Sequence, residues 1–274
     1  MFSALKSVWI PPESIYQHLY FKDEFLVRID DSSQFRMMHY GFQLENQIFW
    51  KGLTNGWEKE SIKLWIELCR QSSVILDIGA NTGVYSLIAN AVNPNAEVYA
   101  FEPVKRVYTK LKQNIALNGY DIHAFEMAVS NYNGEALIYD LPTEHIYSVT
   151  INKNLSAEPS TIETKVATVT LETFLQANKV QRVDLIKIDV ETHEPEVLEG
   201  YGEIFKKQQP TVLVEILTED VATRLNATLK SFDYLYFNID ECGQISQDDC
   251  LHPRASYNYL ICRPPVAKAL NLSS

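Results

Sequence analysis

The sequence predicts a doubly wound, Rossmann-like α/β fold: a mostly parallel seven-stranded sheet with helices on both faces, closed by an antiparallel C-terminal strand pair and preceded by an N-terminal cap extension. Three observations carry this. Residues 74–83 read VILDIGANTG, a short apolar run entering a turn with Gly79 and Gly83. A second apolar run, VYAFEP, then closes on a lone acid, Glu102, at about the 20-residue spacing that such folds use for a ribose-binding carboxylate. From Val74 onward, apolar runs of strand length alternate with stretches of helical periodicity.

Residues 1–70 differ from the rest and are read as a separate extension that covers a crevice and builds an acceptor pocket; residues 71–274 form the main domain. All four tryptophans (Trp9, Trp50, Trp57, Trp65) fall in the extension, with the Pro11-Pro12 pair and an expected strand over Glu24–Asp30. Glu58–Arg70 carries apolar residues at helical spacing (Ile62, Trp65, Ile66, Cys69) and should pack on the sheet. Trp65 reads as core, whereas Trp50 and Trp57 flank the turn KGLTNG and one of them can reach the pocket.

Strand 74–79 leads to helix 82–92, and strand 97–102 to helix 104–118, which stops at Asn118-Gly119. A strand over 122–129 follows, and Asn133-Gly134 makes a tight turn into strand 135–140. Residues 141–163 are polar and irregular and are expected to form a surface or lid loop, with His145, Tyr147, Ser148, Thr150 and Asn152 in it. Strand 165–170 and a short helix at 171–177 come next. Asp184–Val190 is an apolar strand interrupted by Lys187, and helix 195–207 starts with Pro195 at a permitted first-turn position. Strand 211–217, helix 219–230 and an antiparallel pair over 234–239 and 257–263 complete the sheet.

Composition narrows the function. Hydrophobic content of 46% and charged content of 22% are ordinary globular values, and the core needs no staples. Acids outnumber bases 35 to 24, for a net charge of −11, with no Lys/Arg run; this argues against nucleic acid, whose binding depends on phosphate neutralisation. The four cysteines are spread without a C-x-x-C, so zinc is not expected and reduced thiols are, although Cys242 and Cys250 could meet across a hairpin. The N-terminus lacks the apolar core of a signal peptide, and no run of about 18 apolar residues occurs; no membrane partner is expected, and a soluble, cytoplasmic chain is. Oligomeric state stays open, a homodimer included.

In such sheets ligands bind beyond the carboxyl ends of the strands. The turn spacing is D-x-G-x-N-x-G over Asp77, Gly79, Asn81 and Gly83, not the dinucleotide G-x-G-x-x-G. Asn81 stands where the second glycine would admit a pyrophosphate, and no third glycine follows. Carboxylates around this turn repel phosphates and suit positive charge. S-adenosylmethionine, with its sulfonium and amino group, therefore fits better than NAD, with Glu102 on its ribose. The segment KIDVETHEPE (187–196) concentrates further chemistry. Asp189, Glu191 and His193 alternate, so they share a side if the chain stays extended. Carboxylates there can stabilise the sulfonium and orient an acceptor, while His193, or an acid of raised pKa, takes a hydroxyl proton. A competing reading makes Glu194 and Glu196 simple helix N-terminal acids and His193 a surface or capping residue. Lys187, inside an apolar strand, needs a partner among Asp77, Asp189 and Glu215, and a structural ion pair is the favoured reading. Asp189, Glu191, Glu215 and His193 are oxygen-rich enough for a hard cation, but their spacing fixes no geometry, and no metal is expected.

Together, DIGANTGVYSL (77–87), AFEPV (100–104), NIALNG (114–119), AVSNYNGEA (128–136) and KIDVETHEPEVLEG (187–200) resemble the FkbM family of S-adenosylmethionine-dependent methyltransferases, over about 73–217. One departure stands out: Thr192 occupies a position where the family commonly has glycine. The resemblance implies a class I methyltransferase fold and O-methylation of a hydroxyl on a sugar, glycan or polyketide-type natural product. It implies that Asp77, Gly79, Asn81, Thr82 and Gly83 line the cofactor's amino-acid end, that Glu102 with Pro103 holds the ribose, and that the segment from Glu126 to Ala128 meets the adenine. Asp189 would sit near the transferred methyl, with Glu191 and His193 as further catalytic candidates. Rival readings are a non-catalytic S-adenosylmethionine- or glycan-binding module, an NAD-dependent oxidoreductase, which would want the missing third glycine, and a nucleic-acid methyltransferase, which would want a basic face.

Overall fold

The structure is a computed structural model that describes residues 6, 9–140, 149–150 and 162–272. Helix α1 (Glu13–Tyr16) precedes a hairpin of β1 (Asp23–Arg28) and β2 (Gln34–His39). The strand expected over Glu24–Asp30 ends at Arg28 because the Asp30 carboxylate accepts from the Ser32 and Ser33 N–H groups (2.7 and 2.8 Å) and forms a turn. Its partner β2 was not foreseen. Then come α2 (Gln43–Lys51) and α3 (Lys59–Arg70), whose buried stripe includes Ile62, Trp65, Ile66 and Cys69.

The main domain runs β3 (Val74–Ile78), α4 (Val84–Val92), β4 (Glu97–Phe101), α5 (Lys105–Asn118), β5 (Ile122–Phe125), β6 (Ala128–Val129), β7 (Gly134–Asp140), β8 (Val149–Thr150), β9 (Ile162–Val169) and α6 (Leu171–Ala177). It continues with β10 (Leu185–Ile188), α7 (Glu194–Gln208), β11 (Thr211–Glu215), α8 (Glu219–Leu229), β12 (Leu235–Asp240), β13 (Gln244–Asp248), β14 (Asn258–Cys262) and α9 (Pro264–Ala269).

The main sheet has eight strands rather than seven, in the order β13-β12-β14-β11-β10-β3-β4-β5. The run β11-β10-β3-β4-β5 is parallel, and β14 lies antiparallel to both β11 and β12, the expected C-terminal pair. The additional strand, β13, reads QISQD; an edge strand wet on much of its surface carries no apolar alternation to betray it. The strand expected over 122–129 breaks at Glu126 and Met127. There the chain leaves the main sheet, and β6 joins a second sheet of order β6-β9-β7-β8. Of the expected loop at 141–163, Val149–Thr150 form β8 and residues 162–163 begin β9; His145, Tyr147, Ser148 and Asn152 lie outside the described residues.

Side chains alternate across the central strands, as the two-residue strand period requires. Ile75, Leu185 and Leu213 face α3, α4 and the N-terminal segment, in one core that also takes Phe35, Met37, Trp50 and Trp65. Leu76, Ile186 and Val212 face α6, α7 and α8 through Phe174, Val197, Tyr201 and Leu225. Among the described residues, no helix is long and apolar enough to cross a membrane.

Candidate active site

The site begins where β3 ends. Gly79 has φ +83°, and a Cβ there would lie 1.8 Å from the Asp189 carbonyl oxygen. Only glycine lets this turn close onto the end of β10, where the Asp189 N–H bonds the Ile78 carbonyl at 3.0 Å. The Gly79 and Ala80 N–H groups both donate to the Phe101 carbonyl (3.0 and 2.9 Å), tying the turn to β4. Asn81 is left-handed (φ +52°), a conformation Asn tolerates, and its Oδ1 accepts from the Thr82 N–H at 2.8 Å. At Gly83 (φ +95°) a Cβ would meet Leu111 at 2.5 Å.

Glu102 follows β4 and is 6% exposed. Its Oε2 accepts from the Asn81 N–H at 3.0 Å and its Oε1 from the Val104 N–H at 2.9 Å, across the half-buried Pro103. Burial pushes its pKa up to about 7, against the pull of those two bonds. Each oxygen keeps acceptor capacity, so the carboxylate is held in a fixed orientation for a further pair of donors. Ala128 is buried beside Val104 and Val107, while Glu126 is exposed in the break after β5.

The centre of the site is a buried ammonium among acids. Strand register sets Lys187 beside Asp77. Lys187 is 5% exposed, its Nζ lies 2.7 Å from Asp189 Oδ2, and it sits 4.4 Å from the centre of the Tyr85 ring. Burial alone would lower its pKa, but the carboxylates of Asp189, Glu58 and Asp77 raise it on balance. Asp77 is buried and accepts from Ser86 Oγ at 2.6 Å; burial raises its pKa while Lys187 opposes. Glu215, at the end of β11, is pushed up to about 9, first by burial and then by Asp189. Glu58, just before α3, is pushed up to about 7 by burial and accepts from the Tyr85 hydroxyl at 2.5 Å.

His193 goes elsewhere. Glu191 (φ +52°) and Thr192 (φ +77°) are both left-handed, so the extended chain that would align positions 189, 191 and 193 ends at Ile188. The turn carries His193 to the start of α7, where Nε2 meets Ser130 Oγ at 3.0 Å and Nδ1 lies 3.5 Å from Glu196 Oε2. Arg224 binds Glu196 (2.6 Å) and Glu199 (2.7 Å), and burial lowers the His193 pKa with Glu196 opposing. His193 thus braces α7 against β6 and α8. Glu194 is fully buried; its Oε1 accepts from the Val190 and Thr192 N–H groups (3.3 and 3.2 Å), and burial pushes its pKa up to about 8. Thr192 stands at a backbone angle that costs a β-branched residue, the position at which the resemblance would have glycine.

The structure therefore joins Asp77, Gly79, Asn81, Thr82, Gly83, Glu102 and Asp189 at one rim and separates His193 from them. It adds Glu58, Tyr85 and Ser86, none of which was expected as a site residue, although Tyr85 and Ser86 lie within the motif DIGANTGVYSL. Tyr85 and Ser86 open the helix after the glycine turn and could be found there, whereas Glu58 comes from the extension and meets Tyr85 only through tertiary packing. Trp50 is fully buried core, and Trp57 lies edge-on to Tyr85 at 5.9 Å. Among the described residues no group of three or more His, Cys, Asp or Glu is arranged to hold a metal ion, and all four cysteines are free.

This donor set fits S-adenosylmethionine. An acid pinned at two points matches a ribose diol, and a carboxylate-rich rim matches a sulfonium and an ammonium. The Thr82 hydroxyl is buried without a hydrogen-bond partner, a polar atom left over at the turn. Fold and site together define a Rossmann-like, S-adenosylmethionine-dependent methyltransferase. Residues 77–243 match the methyltransferase FkbM domain, and the chain belongs to that family. It is 25% identical to the hexuronic acid methyltransferase AglP of Haloferax volcanii over 188 residues, 67% of this chain and 74% of that one. It is 28% identical to the 31-O-demethyl-FK506 methyltransferase FkbM of Streptomyces tacrolimicus over 158 residues, 48% of this chain and 60% of that one. A solved SAM-dependent methyltransferase of Agrobacterium tumefaciens aligns with a TM-score of 0.48 at 13% identity, covering 89% of this chain and 71% of that one.

Proposed function

We propose that the protein is an O-methyltransferase that acts on a hydroxyl of a sugar, a glycan or a glycosylated or polyketide-type natural product. The observation that carries this is the convergence on one rim of the pinned Glu102 and the acid cluster around Lys187. Asp77, Gly79, Asn81, Thr82 and Gly83 hold the donor's amino-acid end, Glu102 and Pro103 its ribose, and the segment from Glu126 to Ala128 its adenine. When bound, the cofactor supplies an electrophilic methyl group. Lys187 fixes the Asp189 carboxylate beside the methyl position, and Glu191 lies next to it in the turn. The buried walls keep out water and hold the acceptor oxygen in line, which is where most of the acceleration arises.

The rim's charge speaks to the acceptor. Among the described residues the Lys187 ammonium is shared by Asp77, Asp189 and the partly ionised Glu58, with Glu215 neutral below about 9, so the positive charge is already matched and a further anion is disfavoured there. A neutral hydroxyl suits this site better than a uronate carboxylate, so the acceptor differs in charge from the hexuronic acid of the Haloferax relative. A small-molecule or glycan acceptor and a cytoplasmic setting, where the donor is found, complete the reading.

Calorimetric titration with S-adenosylhomocysteine tests it. Binding with micromolar Kd is expected, and Glu102→Gln should weaken it about 10- to 100-fold, the range for losing charged hydrogen bonds. No binding tighter than about 1 mM, roughly 4 kcal/mol, would sink the reading.

A further inference from the structure

We propose that Glu58, which lies outside the matched family domain, is the acceptor-side base of this site: a carboxylate supplied by the N-terminal segment that receives the acceptor hydroxyl's proton during methyl transfer. The inference rests on the methyl-transfer reading above. Glu58 immediately precedes α3 in a left-handed conformation (φ +44°, ψ +39°). A residue there ordinarily turns its side chain back onto the free N–H groups of its own helix. Glu58 makes no such bond. Glu241, from the β12–β13 turn, does it instead: it accepts from the Glu60 and Ser61 N–H groups (2.7 and 3.3 Å) and from Ser61 Oγ (2.5 Å).

Relieved of capping, Glu58 reaches the Tyr85 hydroxyl at 2.5 Å. Tyr85 is wedged edge-on between Trp57 and Trp65, with centroids 5.9 and 5.3 Å away. Its ring covers Lys187, which in turn holds Asp189. A continuous chain of contacts thus runs from Glu241 through α3, Glu58, Tyr85 and Lys187 to Asp189. Strained non-glycine backbone of this kind persists where the surroundings over-determine it, commonly at functional sites. Glu58 and the neighbouring Trp57 are both half-buried.

The groups that face Glu58 are Tyr85, Lys187, Asp189, Glu215 and Glu241. Burial and these neighbours poise Glu58 at about 7, the range in which a base works best at neutral pH. Its neighbours suit the role less well: Asp189 is tied to Lys187, Glu215 at about 9 stays protonated, and burial raises the Tyr85 phenol well above its ordinary value. In the step itself, the acceptor oxygen bonds to the methyl carbon. The carbon–sulfur bond breaks with its electron pair left on sulfur, and the hydroxyl proton passes to a Glu58 carboxylate oxygen.

The test uses the full chain, wild type and Glu58→Gln, which keeps an acceptor for Tyr85. Calorimetry at pH 7 in two buffers of different ionisation enthalpy counts protons released on binding S-adenosylhomocysteine and sinefungin, which carries an ammonium near the transferred methyl. Wild type should release about half a proton more with sinefungin, as expected for an acid half-ionised at that pH, and the Gln variant should lose this excess. An unchanged excess in the variant overturns the proposal alone. Failure of wild type to bind S-adenosylhomocysteine overturns the methyl-transfer reading and this inference with it. On any p-nitrophenyl glycoside that wild type methylates, Glu58→Gln should lower kcat about 100-fold or more. KM should stay within about threefold, and the rise of rate through pH 7 should vanish. A variant that keeps that rise, or more than about a tenth of kcat, also overturns the assignment.

Discussion

Replacing Lys187 with methionine tests the electrostatic account of the site most directly. Methionine keeps the length of the side chain and removes the charge. The substitution strips the Lys187 ammonium from a cluster in which Asp77 is 1% exposed and Asp189 had a partner at 2.7 Å. Breaking a buried pair by deleting one member costs about 3–5 kcal/mol. The Asp189 side chain is 30% exposed, so the lower end, about 3 kcal/mol, applies. At the usual slope for domains of this size the loss lowers Tm by roughly 6–12 °C. The raised pKa of Lys187 means its own contribution is intact at every pH below its unfolded value and is lost only as pH rises through the folded one. Any pH dependence between 5 and 8 therefore comes from the acids. Glu58, at about 7, and Asp77, also raised by burial, protonate early on acidification and need Lys187 less, while Glu215, at about 9, is already neutral at pH 7.5. Urea unfolding of wild type and Lys187→Met should show the full deficit at pH 7.5 and about 1 kcal/mol at pH 5. Adding Asp189→Asn should recover part of it, with a coupling of about 1–3 kcal/mol. Equal midpoints at pH 7.5, or a deficit that grows on acidification, would refute the reasoning.

Gly79→Ala places a Cβ 1.8 Å from a backbone carbonyl that cannot swing aside; we expect more than about 3 kcal/mol of destabilisation by urea unfolding and no S-adenosylhomocysteine binding. Thr192→Gly relieves a left-handed β-branched residue, worth about 1–3 kcal/mol against a glycine entropy cost of about 0.5–1 kcal/mol. Thermal unfolding should accordingly show a net gain near 1 kcal/mol. Glu215, raised to about 9, contributes stability that is full below its unfolded pKa and declines as pH climbs towards 9. Glu215→Gln should therefore be near neutral at pH 5 and gain about 1–2 kcal/mol at pH 9, a figure reduced for solvent screening of a partly exposed group; a constant difference across that range would contradict the burial argument.

What could be read from sequence was what is decided locally. An apolar strand that runs into D-x-G-x-N-x-G must turn where Gly79 permits it, and an acid closing the next strand must lie beside that turn, as Glu102 does through the Asn81 N–H. A lysine in an apolar strand must find an anion, and Lys187 found Asp189, one of its foreseen partners. His193 resisted because the alternation of positions 189, 191 and 193 assumed extended backbone, and two consecutive left-handed residues rotate the chain away. Polar β13 resisted because an edge strand buries too little to show a period. Glu58 resisted for a different reason: its partners Tyr85 and Lys187 come from separate elements, and only packing of the extension on the sheet brings them together.

The Glu241 cap on α3 has a consequence for how the molecule becomes active. Residue 58 leaves the ribosome long before residue 241, so during synthesis α3 must wait uncapped while the sheet is made. The turn that supplies the cap joins β12 to β13, late in the chain and far from α3 in sequence. The cap on the helix that follows Glu58 thus depends on one of the last segments to be synthesised. A nascent or truncated chain that already carries every motif around Gly79 and Glu102 could bind the donor while its reactive rim was still unfinished. The distant cap ties the ordering of the segment around Glu58 to residues made about 180 positions later.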